Sequence, residues 1–162
     1  GELLLTPIQM ANMTAIIANR GFYYTPHIIK EISGQENIDT NFTKKKYCSI
    51  EAKYFEPIID GMLKVTIGED GTAQNSQIAN LDICGKTGTA ENPHGEDHSI
   101  FIAFAPKDNP KIAIAVYVEK GGWGSTWAAP IASLMIDKYI NKNISNSHQE
   151  KLILEGNLIA ED

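Results

Sequence analysis

Gly85-Lys86-Thr87-Gly88-Thr89-Ala90-Glu91-Asn92 puts one cation, two hydroxyls and two glycines into eight residues. The short apolar run Leu81-Asp82-Ile83-Cys84 leads into it. Such a stretch packs closely and offers N–H groups and a positive charge to an anion. Two chemistries use it. In the phosphate-cradling loop G-x-x-x-x-G-K-[ST], Gly85-Lys86-Thr87 would be the end and a glycine should stand at position 80. Position 80 is Asn80, which lacks the freedom of the first glycine. In the K-T-G element of serine acyl-transferases the triplet sits on a strand. Thr87, Thr89 and two β-rich runs downstream favour the strand. Three residues alone also fit a glycine-containing strand on a packed sheet, so the flanking chain must decide.

Elements that could position this stretch follow in order. Thr6-Pro7-Ile8-Gln9 reads as a helix start, with Thr6 as cap, Pro7 in the first turn and Gln9 completing a capping box. Ile8, Ala11, Ala15 and Ala18 recur at helical spacing, and Asn19-Arg20-Gly21 ends the helix. Phe22 to Ile32 reads as extended, interrupted at Pro26, and Ser33 to Lys46 as a loop or irregular hairpin. From Ser49 a second helical pattern puts Tyr54, Ile58, Met62 and Val65 on one face. Pro57 makes that helix start late or kink. Gly68 to Gln77 is a polar turn region.

After the Lys86 strand, Asn92 to Asp97 forms a polar connection. Ser99 to Ala105 and Lys111 to Val118 are strands, the second apolar on both sides and so expected to be buried on both. Pro106 to Pro110 is a hairpin connection of ordinary length. The three strands predict an antiparallel meander, broken by Gly121-Gly122-Trp123-Gly124-Ser125. Trp127 to Ile140 predicts a last helix, with Pro130 tolerated in its first turn. The polar tail from Asn141 is expected to be loosely ordered. The fold class is mixed α and β, an antiparallel sheet flanked by helices.

With 162 residues the chain is long enough for one domain with a real core. The net charge of -6 argues against a nucleic-acid partner. No apolar run is long enough to span a membrane. No signal peptide is visible, and the opening Gly1-Glu2 reads as the interior of a longer protein. Cys48 and Cys84 are expected to be free thiols.

Taken together, four stretches give far more specificity than K-T-G alone. They are Leu5-Thr6-Pro7-Ile8-Gln9-Met10-Ala11, Asp70-Gly71-Thr72-Ala73, Gly85 to Asn92, and Asp97-His98-Ser99-Ile100-Phe101-Ile102-Ala103-Phe104-Ala105-Pro106. In order and spacing Gly1 to Ile140 resembles the C-terminal part of the transpeptidase domain of class B penicillin-binding proteins. Within them it looks most like the branch that serves cell elongation. The resemblance implies a β-lactamase/transpeptidase-like fold, here its C-terminal half, with residues 1–141 belonging to the domain and 142–162 forming a tail. It implies a D,D-transpeptidase acting on D-Ala-D-Ala stem peptides of peptidoglycan, inhibited by β-lactams, with no cofactor. Cell-wall elongation proteins of the membrane are implied as partners, and the periplasmic face of the cytoplasmic membrane as the location.

Roles are implied residue by residue. Lys86 would hold substrate and tune the electrostatics of the site. Thr87 and Thr89 would bind a carboxylate through their hydroxyls. The Thr89 N–H would form half of an oxyanion hole. Gly88 would leave room for a substrate lying along the strand, and Ala90 would continue the binding edge. No lysine has a serine three residues before it, and no asparagine a serine two before it. The family's S-x-x-K and S-x-N motifs are therefore expected upstream of Gly1, and this piece is expected not to acylate alone.

Other clusters weigh less. His94, Glu96, Asp97 and His98 crowd one loop, but their spacing is not that of a known metal site, and no metal is expected. His98 and Trp123 are candidates for the groove rim, against the plainer readings of a strand-orienting histidine and a surface indole in a turn. Lys44-Lys45-Lys46 reads as a solvated face. The rival functions are a β-lactam-hydrolysing enzyme or β-lactam sensor of the same fold, a nucleotide-binding protein, and a non-catalytic interaction module.

Overall fold

The computed structural model describes residues 3–29, 31–34 and 39–158. Its centre is the expected antiparallel meander, in the order β3-β4-β5, after a small antiparallel pair formed by β1 (Phe22–Tyr23) and β2 (Lys46–Tyr47). The strands of the meander are β3 (Cys84–Ala90), β4 (His98–Ala105) and β5 (Ile112–Val118). Gly85 pairs with Ala103, Thr87 with Phe101 and Thr89 with Ser99, and β4 pairs in turn with β5.

Because side chains alternate across a strand, this register divides the core in two. Phe101, Ala103 and Ala105 of β4, with Ile114 of β5, pack under helix α4 (Ala128–Asn141), against Ala128, Ala129, Ala132 and Ile136. Phe104 and Cys84 face the opposite way, toward α1 (Pro7–Ala18) and α3 (Glu56–Ile67), against Ala18, Phe55, Ile59 and Met62. β4 is the most completely buried strand, and β5 also meets α4 on one face and α1 on the other. The expectation that Lys111 to Val118 is buried on both sides is met only in part. β5 is an edge strand, its Ala113 and Ala115 are half-buried and Tyr117 is exposed.

Helix α1 begins as its residues predict. The Thr6 N–H and hydroxyl donate to Gln9 Oε1 at 2.8 and 3.0 Å. It ends with Arg20 and Gly21 both at positive φ, where Gly21 donates to the Ile16 carbonyl. The expected small-residue face is only partly right. Ala18 is buried, but Ile8 is exposed, and Thr14 is buried instead because its hydroxyl bonds the Met10 carbonyl at 2.8 Å.

Helix α3 starts late, with Pro57 in its first turn, after a single 3-10 turn at Ala52–Tyr54. Its buried stripe is Phe55, Ile59, Met62 and Thr66 rather than Tyr54, Ile58, Met62 and Val65. One residue of offset rotates a helix face by roughly 100°, and it leaves Tyr54 and Ile58 exposed. Among its described residues, the segment expected to be extended from Phe22 to Ile32 pairs only at Phe22–Tyr23. The following loop holds a one-turn helix, α2 (Thr40–Thr43), capped by Asp39. Lys30 and residues 35–38 of those two segments lie outside the described residues. Leu3, Leu4, Ile28 and Ile58 are exposed apolar side chains.

The tail is not loose. Helix α5 (Ser147–Glu155) folds back on α4, capped by the Asn146 side chain, which accepts from the Gln149 N–H at 3.0 Å. Asp137 of α4 anchors it, accepting from the Ser145 N–H and hydroxyl at 2.7 Å each. A polar composition concealed this, because the tail is held by hydrogen bonds and by the Trp127 ring lying against Gly156 rather than by an apolar stripe of its own.

Candidate active-site groove on the edge of the sheet

Among the described residues, strand β3 pairs with β4 on one side only. On the free side of an edge strand, alternate backbone N–H and C=O groups have no ladder partner. A groove of about 300 Å³ runs along that strand, walled by Lys86, Thr87, Gly88 and Thr89, with Trp123, Gly124, Ser125 and Thr72 opposite. Lys86 and Thr87 lie within a strand and not at a helix N-terminus, so the phosphate-loop reading fails. Asn80 does supply a left-handed turn (φ 59°), but it serves the tight turn where Leu81 N–H donates to the Ile78 carbonyl.

Pleating separates the groove's functional groups. Lys86, opposite Ile102, and Gly88, opposite Ile100, belong to the face that carries α1 and α3. Thr87 and Thr89 belong to the α4 face. The exposed Lys86 ammonium donates to the Thr87 carbonyl at 2.7 Å. Its side chain also lines a second cavity with Ile17, Ile58, Met62 and Ile102.

Of the two glycines flanking Lys86-Thr87, Gly85 is the one the core requires. A Cβ there would enter the Phe101 ring, lying 2.9 Å from Cε2. At Gly88 an added Cβ would sit 3.4 Å from the Ile100 Cβ, an ordinary contact. Close approach on that side is made by Gly124, whose Cβ would lie 2.6 Å from the Gly88 carbonyl oxygen. The 121–125 segment therefore lies directly over the strand.

Three sets of contacts hold the far wall. The Ser99 hydroxyl, on a fully buried residue, donates to the Trp123 carbonyl at 2.9 Å and accepts from the Ala128 N–H at 3.1 Å. The Gly122 N–H donates to the Asp97 carbonyl at 2.7 Å. The Asn75 side-chain amide donates to the Ser125 carbonyl at 2.8 Å, and Gln149 of α5 donates to the Asn75 carbonyl at 2.6 Å. The Trp123 backbone is thus fixed, while its indole is 74% exposed.

His98 and Ala90 form the last pair of the β3–β4 ladder, outside the groove wall. The His98 ring packs on Tyr117, centroids 5.3 Å apart, and its Nδ1 accepts from the Lys120 N–H at 3.1 Å. The Tyr117 phenol is pushed up by burial and by the Glu119 carboxylate. Asp97 accepts from the Asn92 N–H at 3.0 Å. Among the described residues no group of three His, Cys, Asp or Glu side chains could hold a metal ion.

Thr72, Ser125 and Ser99 were not singled out by type or spacing. Thr72 lay inside the recognised Asp70-Gly71-Thr72-Ala73 stretch, which was the available signal. Ser99 lies inside the Asp97 to Pro106 stretch in the same way, although a serine in a β-strand ordinarily marks a solvent-facing position.

A K-T-G strand at the edge of a helix-backed antiparallel sheet, closed over by a glycine-rich loop, is the arrangement of the β-lactamase/transpeptidase-like fold. The family described as the penicillin binding protein transpeptidase domain matches residues 1–137, and the chain belongs to it. It is 33% identical to the peptidoglycan D,D-transpeptidase MrdA of Haemophilus influenzae, over 89% of this chain and 25% of the relative. Pseudomonas aeruginosa PBP2, solved in complex with WCK 5153, is similar with a TM-score of 0.74 and 35% identity, over 92% of this chain and 31% of that one. Penicillin-binding protein A of Mycobacterium tuberculosis, solved as a ceftriaxone acyl-enzyme complex, gives a TM-score of 0.72 at 30% identity, covering 86% of this chain and 33% of that one. The likeness to the penicillin-binding protein 2 branch and the fold read from the sequence both hold. The chain spans a quarter to a third of the length of these relatives.

Proposed function

We propose that the protein to which this chain belongs is a serine-type D,D-transpeptidase of peptidoglycan synthesis in cell elongation, at the periplasmic face of the cytoplasmic membrane. A serine upstream of Gly1 attacks the D-Ala-D-Ala amide of a stem peptide. The acyl-enzyme forms, D-alanine leaves, and an amine of a second stem peptide takes the acyl group. One difficult step is thereby split into two easier ones. β-Lactams enter the same groove as stem peptides, and membrane proteins of the elongation machinery are the partners.

The observation that carries this reading is the K-T-G strand at a free sheet edge, beside a groove lined by hydroxyls. Lys86 supplies the cation. Thr87 and Thr89 bind a carboxylate, and the Thr89 N–H stabilises the oxyanion, a donor typically worth about 3–4 kcal/mol in the transition state. Because that donor is backbone, changing the Thr89 side chain leaves it in place. The nucleophile and base lie in the upstream part of the domain, and residues 1–162 alone do not acylate.

Fluorescent penicillin tests this on the present chain and on a longer one reaching upstream through the serine and lysine. Labelling of the longer chain only, weakened by Lys86→Ala, supports both the activity and the division of labour. A folded longer chain that never takes label removes the assignment. Rapid release of the label would indicate a β-lactamase instead.

A further inference from the structure

Thr72 stands across the groove from the K-T-G strand, and its Oγ1 lies 2.9 Å from the Thr87 Oγ1. The backbone delivers it there. Gly71 folds over the last turn of α3, where a Cβ would come within 2.6 Å of the Val65 carbonyl oxygen and 2.7 Å of that of Lys64. Two residues on, the N–H of the buried Ala73 closes the loop on the Val65 carbonyl at 2.9 Å. The Gln74 amide ties down the carbonyls of Gly68 and Glu69 at 2.7 and 2.6 Å. Thr72 is thus held on both sides, and its hydroxyl is directed at one partner.

Two hydroxyls in contact have two protons between them, and one proton is used in the bond they share. An ionised carboxylate only accepts. If Thr87 donates to a carboxylate in the groove, its bond with Thr72 has one remaining polarity: Thr72 donates and Thr87 accepts. With Thr72 absent, Thr87 is free to turn its proton elsewhere, for example to a neighbouring carbonyl. Accepting a hydrogen bond also polarises the Thr87 hydroxyl and strengthens its own donation.

We propose that Thr72 is a positioning residue for carboxylate recognition, orienting the Thr87 hydroxyl as a donor to the carboxylate of a stem peptide or β-lactam. The proposal rests on the functional reading above, and it predicts a defect confined to ligands that carry the anion.

The test uses the full-length protein and the acylation rate by benzylpenicillin, measured by competition with fluorescent penicillin, alongside benzylpenicillin methyl ester. Thr72→Val slows acylation by the free acid about tenfold, the size of one hydrogen bond to a charged group. It leaves the slower reaction of the ester unchanged, and Thr72→Ser restores the acid rate. In a Thr87→Val background, Thr72→Val has no further effect, because the two side chains act as one unit. Melting temperatures follow each variant, and Thr72→Ala serves if Thr72→Val does not fold. An unchanged acid rate, an equal loss for acid and ester, or additive losses in the double variant each overturn the proposal. Failure of the wild-type protein to be labelled would overturn the functional reading itself, and is seen before any variant is made.

Discussion

The Ser99 hydroxyl donates to the Trp123 carbonyl at 2.9 Å, across 24 residues of chain. Ser99 stands opposite Thr89 in the β3–β4 ladder, so the residue that fixes the far wall of the groove is the ladder partner of a residue on the near wall. The same oxygen receives the Ala128 N–H at the start of α4. Ser99→Ala leaves that N–H and the Trp123 carbonyl without this partner, at a cost of about 1–3 kcal/mol. Urea unfolding of the whole transpeptidase domain should show that loss. Penicillin acylation should slow as well, as the 121–125 segment loosens over the strand.

Gly85 and Gly88 should separate structure from function. Gly85→Ala drives a methyl group into the Phe101 ring, in a core layer that has no slack, and overpacking of this kind typically costs about 1–3 kcal/mol. Gly88→Ala meets only an ordinary contact with Ile100, so its melting temperature should stay near that of the wild type while acylation falls. A Gly88→Ala variant as unstable as Gly85→Ala would contradict this geometry.

The two thiols should differ sharply in reactivity. Cys84 is fully buried, and burial pushes its thiol up to about 12. Cys48 is half-exposed, and neither cysteine is in a disulfide. Since the thiolate is the reactive form, iodoacetamide at neutral pH should modify Cys48 and spare Cys84 until the protein is unfolded. Mass spectrometry of peptides from the two states reads this directly.

Asp137 should confer acid sensitivity. Burial pushes its carboxyl up, but the Ser145 N–H, the Asn141 amide and the Ser145 hydroxyl together outweigh that and hold it below the usual range. A carboxyl whose folded pKa is depressed stabilises the fold fully above its unfolded pKa, about 3.9, and loses that contribution as pH falls through the lower folded value. Asp137→Asn should be less stable by about 1–3 kcal/mol at neutral pH. The gap to the wild type should narrow as pH drops below about 4. A gap that stays constant from pH 7 to below 3 would exclude Asp137 as the titrating group.

Much of the fold was legible because its signals are local. A capping box, a proline in a first turn, a left-handed glycine and a β-rich run each act within a few residues, and α1, the late start of α3, the meander and α4 appear accordingly. The misreadings came where burial depends on neighbours. β5 has an apolar pattern on both faces and meets α4 and α1 on them, but as an edge strand it has a neighbour on one side only and keeps Tyr117 exposed. The α3 stripe was off by one position because Phe55, just before the helix, is the residue that enters the core. Helix α5 escaped notice because its attachments, Asp137 to Ser145 and Gln149 to Asn75, are polar.

By itself the sequence determined the family and the identity of the Lys86-Thr87-Gly88-Thr89 strand, since these depend on residue types at fixed spacing. Only the tertiary structure placed Thr72 against Thr87, bound Ser99 to Trp123, and brought Gly85 and Gly124 into packing that leaves no room for a side chain. Those are contacts between residues 15 to 36 positions apart. They are created by strand register and by the packing of helices on a sheet, and no periodicity along the chain encodes which two side chains will meet.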